Sequence, residues 1–126
     1  MKFIANTFDL KNHLGIPVNE NEVIKTISTD TRSIKRHSLF IAIKGKNFDG
    51  NNFVDDALSK GANIVITEQY RYRDCKNKKI IYVKDTITAL RKISKSIIKQ
   101  YKGNVIAITG SNGKTSTTDI IFKTLK

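Results

Sequence analysis

The chain has 126 residues, 39% of them apolar, enough for one ordinary domain or a small domain with part of a second. The apolar residues fall in short periodic blocks, which argues against wholesale disorder, and none of the runs is long enough to span a bilayer. The formal net charge is +12, but the basic residues are scattered over helices and loops and form no single stripe, so they read as a solvated surface and not as a nucleic-acid footprint.

The first 26 residues carry the weakest signal. Leu10 and Leu14, with Phe3, suit a short helix ended near Gly15 and Pro17. The N-terminus holds one Lys and no apolar run of the signal-peptide kind. Cys75 is a single cysteine with no partner for an internal disulfide, which fits a reducing, cytoplasmic setting. Ile27-Ser28-Thr29-Asp30-Thr31-Arg32 reads as a short strand running into a polar turn. Leu39-Phe40-Ile41-Ala42-Ile43 is a strand candidate closed by Lys44-Gly45. Asn47-Phe48-Asp49-Gly50 has turn chemistry, since Asp-Gly accepts the left-handed backbone of tight turns. Asn51 or Asn52 is placed to cap a helix over Phe53, Val54, Ala57 and Leu58, and Gly61 to stop it.

Residues 63–67 and 80–83 read as buried strands. Between them lies the densest basic cluster, Arg71, Arg73, Lys76, Lys78 and Lys79, interleaved with Tyr70 and Tyr72; a charged loop between strands is ordinary. Asp85-Thr86 opens a helix whose apolar positions are Ile87, Leu90, Ile93, Ile97, Ile98 and Tyr101, with Gly103 as its stop. Residues 104–109 read as a strand, followed by a glycine-rich loop and a helix carrying Ile120, Ile121 and Leu125. Strands alternate with helices, so the expected class is α/β with largely parallel pairing. A boundary is expected near residue 84, giving units 1–84 and 85–126. His13 and His37 have no carboxylate or Cys companions at ligand spacing and read as ordinary residues.

The most specific local feature is Thr109-Gly110-Ser111-Asn112-Gly113-Lys114-Thr115, between an expected strand and an expected helix. Glycines let backbone N–H groups converge on one concavity, and a helix N-terminus adds partial positive charge. Lys114 can reach outer phosphates, and Thr115 can offer its hydroxyl to Mg²⁺. The usual phosphate-loop spacing would require glycine at Ile108; here the glycine sits at Gly110, so the loop is shortened.

That shortened loop resembles the one in the Mur ligases and their folylpolyglutamate synthetase relatives. A second block consists of Ser28-Thr29-Asp30-Thr31-Arg32, then Ser38-Leu39-Phe40-Ile41-Ala42-Ile43-Lys44-Gly45, then Phe48-Asp49-Gly50, Phe53, Ala57-Leu58 and Gly61-Ala62. It is similar to the N-terminal domain of the Mur ligases that add the third residue or the terminal dipeptide to the peptidoglycan precursor, a domain the folylpolyglutamate synthetases lack. The resemblance covers residues 27–126. Phe48-Asp49-Gly50 and the Ser111-containing loop look more like the dipeptide-adding branch. The third-residue branch more often has threonine at the position of Ser111 and histidine after the Asp-Gly pair, where this chain has Asn51.

The resemblance implies a UDP-substrate-binding domain at 1–84, then the first helix, strand and phosphate loop of a Rossmann-like ATPase domain at 85–126. It implies ATP and Mg²⁺ as cofactors, a UDP-N-acetylmuramoyl-peptide as substrate, and D-alanyl-D-alanine as the incoming amine. In such enzymes the precursor's terminal carboxylate is phosphorylated by ATP, and the amine attacks the acyl phosphate. On this chain Lys114 and Thr115 would carry the catalytic roles, with Thr115 on the metal. Thr109, Gly110, Ser111, Asn112, Gly113, Lys114, Thr115 and Ser116 would form the nucleotide site. Thr31, Arg32, Lys44, Gly45, Asp49 and Gly50 would face the UDP-muramoyl part, with Arg32 or Lys44 offsetting pyrophosphate charge. Asp30 and Arg32 equally suit a turn held by a local ion pair, and both roles can hold together; Asp49 reads as a turn former more than a catalyst.

The family's remaining ATPase sheet, acidic Mg²⁺ ligands, carbamylated lysine and C-terminal amine-binding domain have no counterpart in these 126 residues. The expectation is therefore a piece of a ligase that does not ligate by itself, since a phosphate loop without its sheet and carboxylates holds ATP poorly in reacting geometry. A member of the third-residue branch and a non-catalytic UDP-sugar-binding module are the alternatives. A nucleic-acid-binding role has no recognised motif behind it.

Overall fold

The computed structural model describes residues 5–6, 23–100, 102–103 and 106–124. The helix expected over Leu10 and Leu14, and His13, lie outside these. Strands β1 (Ala5–Asn6) and β2 (Val23–Ile24) form a short antiparallel pair. Four further strands, β3 (Thr26–Ser28), β4 (Ser38–Ile41), β5 (Ala62–Thr67) and β6 (Ile80–Tyr82), form one parallel sheet in chain order. The helices are α1 (Val54–Ser59), α2 (Thr86–Gln100) and α3 (Lys114–Thr124). Parallel neighbours cannot be joined by a hairpin, so every connection crosses back over the sheet. The carboxyl ends of β3 and β4 therefore lie along one edge, and the segments after Ser28 and after Ile41 emerge there side by side.

Side chains alternate across a strand, and the sheet uses both faces. Leu39, Ile41, Ile64, Ile66 and Ile81 form one cluster with Ala89 and Ile93 of α2. Phe40, Ala42 and Val65 form the other with Val54 and Ala57 of α1. A register shift between β4 and β5 explains one break in the alternation. Ser38 pairs with Ala62 but Leu39 pairs with Ile64, so Asn63 is an extra residue, and Ala62 falls on the same face as Val65. Among the described residues no helix is long and apolar enough to cross a membrane.

The α/β class and the parallel pairing are as expected; three expectations change. First, the first-turn amides before α1 are capped by Asp49, whose carboxylate accepts from the Asn51 N–H at 3.0 Å, and not by Asn51 or Asn52. The chain makes a 3-10 turn (Gly50–Phe53) before the α-helix begins, which moves the cap upstream. Second, α2, expected to open the second unit, packs on the strands that precede it: Ala89 and Ile93 are buried in the core of the four-stranded sheet. Third, residues 106–109 are not a strand. A strand needs a neighbour to take its backbone groups; this segment joins neither sheet, and Ile106 is 56% exposed.

Candidate functional site

The turn after β3 and the loop after β4 enclose a groove of about 520 Å³, lined by Thr29, Asp30, Thr31, Arg32, Phe48 and Phe53. Asp30 organises its first wall. Its carboxylate accepts from the Arg32 backbone N–H at 2.9 Å, from Arg32 Nε at 3.0 Å to both oxygens, and from Arg32 Nη2 at 2.7 Å. These bonds, the side-chain ones first, lower the Asp30 pKa to about 2. The local ion pair is thus formed, and it forms part of the groove wall. Asp30 offsets much of the Arg32 charge, while the 87%-exposed guanidinium stays accessible to a ligand.

Thr31 is buried at the start of the 3-10 turn Thr31–Ser33 and lines the groove. At the end of α1, Lys60, 2.8 Å from the Asp56 carboxylate, is the main cause of the lowered Asp56 pKa.

The second wall is a tight loop. Lys44 and Asp49 pair in an isolated antiparallel backbone bridge, the Gly45 N–H donates to the Phe48 carbonyl at 2.7 Å, and the Gly50 N–H donates to the Ile43 carbonyl at 2.9 Å. Gly50 must be glycine, because a Cβ there would sit 2.7 Å from the Ile43 oxygen and 2.8 Å from its nitrogen. Asn51 and, more weakly, Lys44 hold the Asp49 carboxyl below its usual pKa. The loop presents Phe48 against Phe53, with ring centroids 4.9 Å apart and planes 19° from parallel. Phe48 remains 52% exposed, a flat apolar face beside Arg32.

Of the residues expected to face a substrate, Thr31 and Arg32 line the groove. Lys44, Gly45, Asp49 and Gly50 frame the loop that carries Phe48. Sequence reasoning missed Thr29, Phe48 and Phe53 as lining residues. The signal lies in two phenylalanines flanking an Asp-Gly turn, which by themselves read as part of a turn and of a helix core.

The glycine-rich loop does not line this groove. Gly110 (φ 151°) and Gly113 (φ 75°) both take positive φ, and α3 starts at Lys114. The Lys114 ammonium folds back to donate to the Gly110 carbonyl, and the Thr117 N–H bonds the Gly113 carbonyl at 2.9 Å. Thr109, Ser111, Asn112, Thr115 and Ser116 are exposed around it. A helix start, two left-handed glycines and an ammonium over the bend fit a phosphate group. Thr115 offers one hydroxyl to a cation, and among the described residues no group of three or more His, Cys, Asp or Glu could hold a metal.

The other features singled out by sequence are satisfied locally. Arg71 lies 4.7 Å over Tyr72 and 3.5 Å from Asp55, and Arg73 lies 5.5 Å over Tyr70. His37 is exposed at φ 66°, its Nδ1 3.4 Å from the Asn63 amide.

A parallel sheet with a groove at the carboxyl ends of its strands, followed by a glycine bend and a helix, defines an α/β protein. The family model described as "Mur ligase family, catalytic domain" matches residues 23–102. The chain is 40% identical over 116 residues to the UDP-N-acetylmuramoyl-tripeptide–D-alanyl-D-alanine ligase of Bacillus subtilis, covering 92% of this chain and 25% of that protein. It is 42% identical over 101 residues to the UDP-N-acetylmuramoyl-L-alanyl-D-glutamate–2,6-diaminopimelate ligase of Rickettsia montanensis, covering 80% of this chain and 21% of that one. A solved D-alanyl-D-alanine-adding ligase from Acinetobacter baumannii superposes with a TM-score of 0.75 at 28% identity, over 98% of this chain and 28% of that one. The Thermotoga maritima MurF ligase, solved with ADP, superposes with a TM-score of 0.61 at 31% identity, over 77% of this chain and 22% of that one. The chain belongs to the Mur ligase family. It spans about a quarter of the length of the relatives it matches.

Proposed function

We propose that this chain is the substrate-docking part, with the phosphate loop, of a cytoplasmic ATP-dependent amide ligase of peptidoglycan synthesis. Its substrate would be UDP-N-acetylmuramoyl-tripeptide, and its incoming amine D-alanyl-D-alanine. The observation that carries the reading is the groove, because it joins two blocks separate in sequence, 29–32 and 44–53, into one concavity. The exposed Phe48–Phe53 stack offers a flat surface for a planar base, and Arg32, held by Asp30, offers guanidinium N–H groups to a diphosphate. Lys44 stands at the base of the same loop and adds positive potential.

In the reaction, the precursor's terminal carboxylate accepts the γ-phosphoryl group of ATP, and the amine then displaces phosphate from the acyl phosphate to leave an amide. Lys114 and the backbone amides of residues 110–114 would hold the outer phosphates, and Thr115 would contribute one oxygen to Mg²⁺. That ion would supply charge neutralisation at the transferring phosphoryl group. The ADP in the Thermotoga relative supports nucleotide binding in this family. By core sharing, the docking unit extends through α2, and the nucleotide-binding unit begins with the segment after it.

The branch assignment rests on Asn51 and Ser111 and on the Bacillus relative; a third-residue-adding activity is the second reading, favoured by the Rickettsia match. Calorimetric titration of UDP-N-acetylmuramoyl-tripeptide into the chain and into Arg32→Ala tests the site. Saturable binding weakened about tenfold or more by the substitution is expected for a lost charge-assisted contact. Equal affinity removes Arg32 from the site, and no binding to either protein removes the docking role.

A further inference from the structure

We infer that Asn51 is the positioning residue of the substrate loop; this rests on the docking role proposed above. Asn51 is buried, 5% exposed, directly after the Asp49-Gly50 turn. Its amide is engaged in two directions. Nδ2 donates to Asp49 Oδ1 at 2.8 Å, beside the Asn51 backbone N–H, which donates to the same oxygen at 3.0 Å. Oδ1 accepts from the Thr67 hydroxyl at 2.7 Å and from the Glu68 N–H at 3.1 Å. The chemistry fixes which end of the amide faces which way: an ionised Asp49 can only accept, and the Glu68 N–H can only donate.

The side chain therefore spans two elements that touch the sheet independently. On one side is the loop that presents Phe48. On the other is the carboxyl end of β5, one of the two central strands. Thr67 is fully buried, and its oxygen also accepts from the Gln69 N–H at 3.2 Å, so this anchor is itself held. Glu68 continues the path, accepting from the Thr86 N–H and hydroxyl at 3.2 Å each at the start of α2. Without Asn51, the loop would keep its bond from the Gly50 N–H to the Ile43 carbonyl and the Phe48–Phe53 stack. It would lose the tie from Asp49 to the sheet interior. A neutral side chain with a donor at one end and an acceptor at the other is what the position needs.

That polarity supplies the test. Asn51→Asp keeps the acceptor for Thr67 and Glu68 but replaces the donor toward Asp49 with a second carboxylate. The double variant Asp49→Asn with Asn51→Asp reverses the direction of the bond and restores it. Three proteins, each checked for its thermal midpoint, are titrated with UDP-N-acetylmuramoyl-tripeptide, and amide exchange is followed at Gly45 and Gly50. The inference predicts at least about tenfold weaker binding and faster exchange in N51D, on the scale of one lost charge-assisted hydrogen bond, with most of both recovered in the double variant. Wild-type affinity and exchange in a folded N51D overturn it while leaving the docking role intact. A wild-type chain that binds no ligand removes the docking role and this inference with it. Should N51D not fold, Thr67→Val removes the hydroxyl that anchors Asn51, together with the bond it accepts from the Gln69 N–H on the far side of the strand end: faster exchange at Gly45 and Gly50 supports the inference, and unchanged exchange overturns it.

Discussion

The sheet unit and the glycine-loop segment solve the problem of making a candidate site in opposite ways. In the sheet unit, the groove exists because parallel strands bring Ser28 and Ile41 to one edge, and because packed residues such as Phe40, Val54 and Ala57 hold the segments that leave those strands. In the segment 106–124 the site is a backbone shape. Gly110 and Gly113 bend the chain, α3 starts, and among the described side chains of α3 Ile121 alone reaches half-burial. The first site depends on tertiary packing at a distance. The second depends on local conformation, and substitutions separate the two.

The largest expected difference is in the core. Phe40→Ala should cost about 3–5 kcal/mol of the sheet unit's stability by leaving a cavity between β4 and α1. Ile120→Ala, at a 65%-exposed position on α3, should stay within about 0.5 kcal/mol. Thermal and urea unfolding of the two variants measure both. A comparable loss from Ile120→Ala would mean that α3 packs into the same cooperative unit.

The glycines sharpen the contrast at a smaller scale. Gly50→Ala drives a Cβ to 2.7 Å from the Ile43 oxygen, against backbone that cannot step aside, and should destabilise the sheet unit by about 1–3 kcal/mol. Gly113→Ala meets nothing within 4 Å, so only the positive φ opposes it, by about 1–2 kcal/mol. That effect should leave the sheet's unfolding midpoint in place and show as weaker nucleotide binding.

The smallest effect concerns Asp30. Its folded pKa of about 2 lies below the ordinary value of 3.8, so its ion pair contributes stability that is present above about pH 3.8 and is lost as pH falls through about 2. The pair is exposed, so the change in stability should be slight. The titration itself is the better readout. Carboxyl carbon shifts should give a midpoint near 2 for Asp30, and Arg32→Ala should move it back toward 3.8.

Much of the sheet unit was legible because its signals are local and periodic. Residues 63–67, read as a buried strand, form β5 within one residue, and the spacing of Leu90, Ile93 and Ile97 marks the face that α2 buries. The bend at Gly110 and Gly113 was legible for the same reason, since glycine positions write backbone conformation directly. The features that escaped needed partners far along the chain. Asn51 looked like a helix cap because nothing nearby reveals a Thr67 hydroxyl 2.7 Å away. Phe48 and Phe53 looked like turn and core because their stack depends on how the 3-10 turn folds the chain back. Residues 106–109 looked like a strand because a short apolar run does not state whether anything pairs with it. The packing of α2 escaped likewise: its periodicity shows that it has a buried face, not which sheet covers it.

The central claim is that the edge of β3 and β4 holds the UDP-muramoyl part of the precursor. Mapping backbone amide shifts of the labelled chain during titration with UDP-N-acetylmuramoyl-tripeptide tests it most directly. The account predicts saturable shifts at Thr29, Asp30, Thr31, Arg32, Phe48 and Phe53, with residues 109–116 unmoved until a nucleotide is added. Shifts confined to 109–116, or none at the groove under saturating ligand, would contradict it.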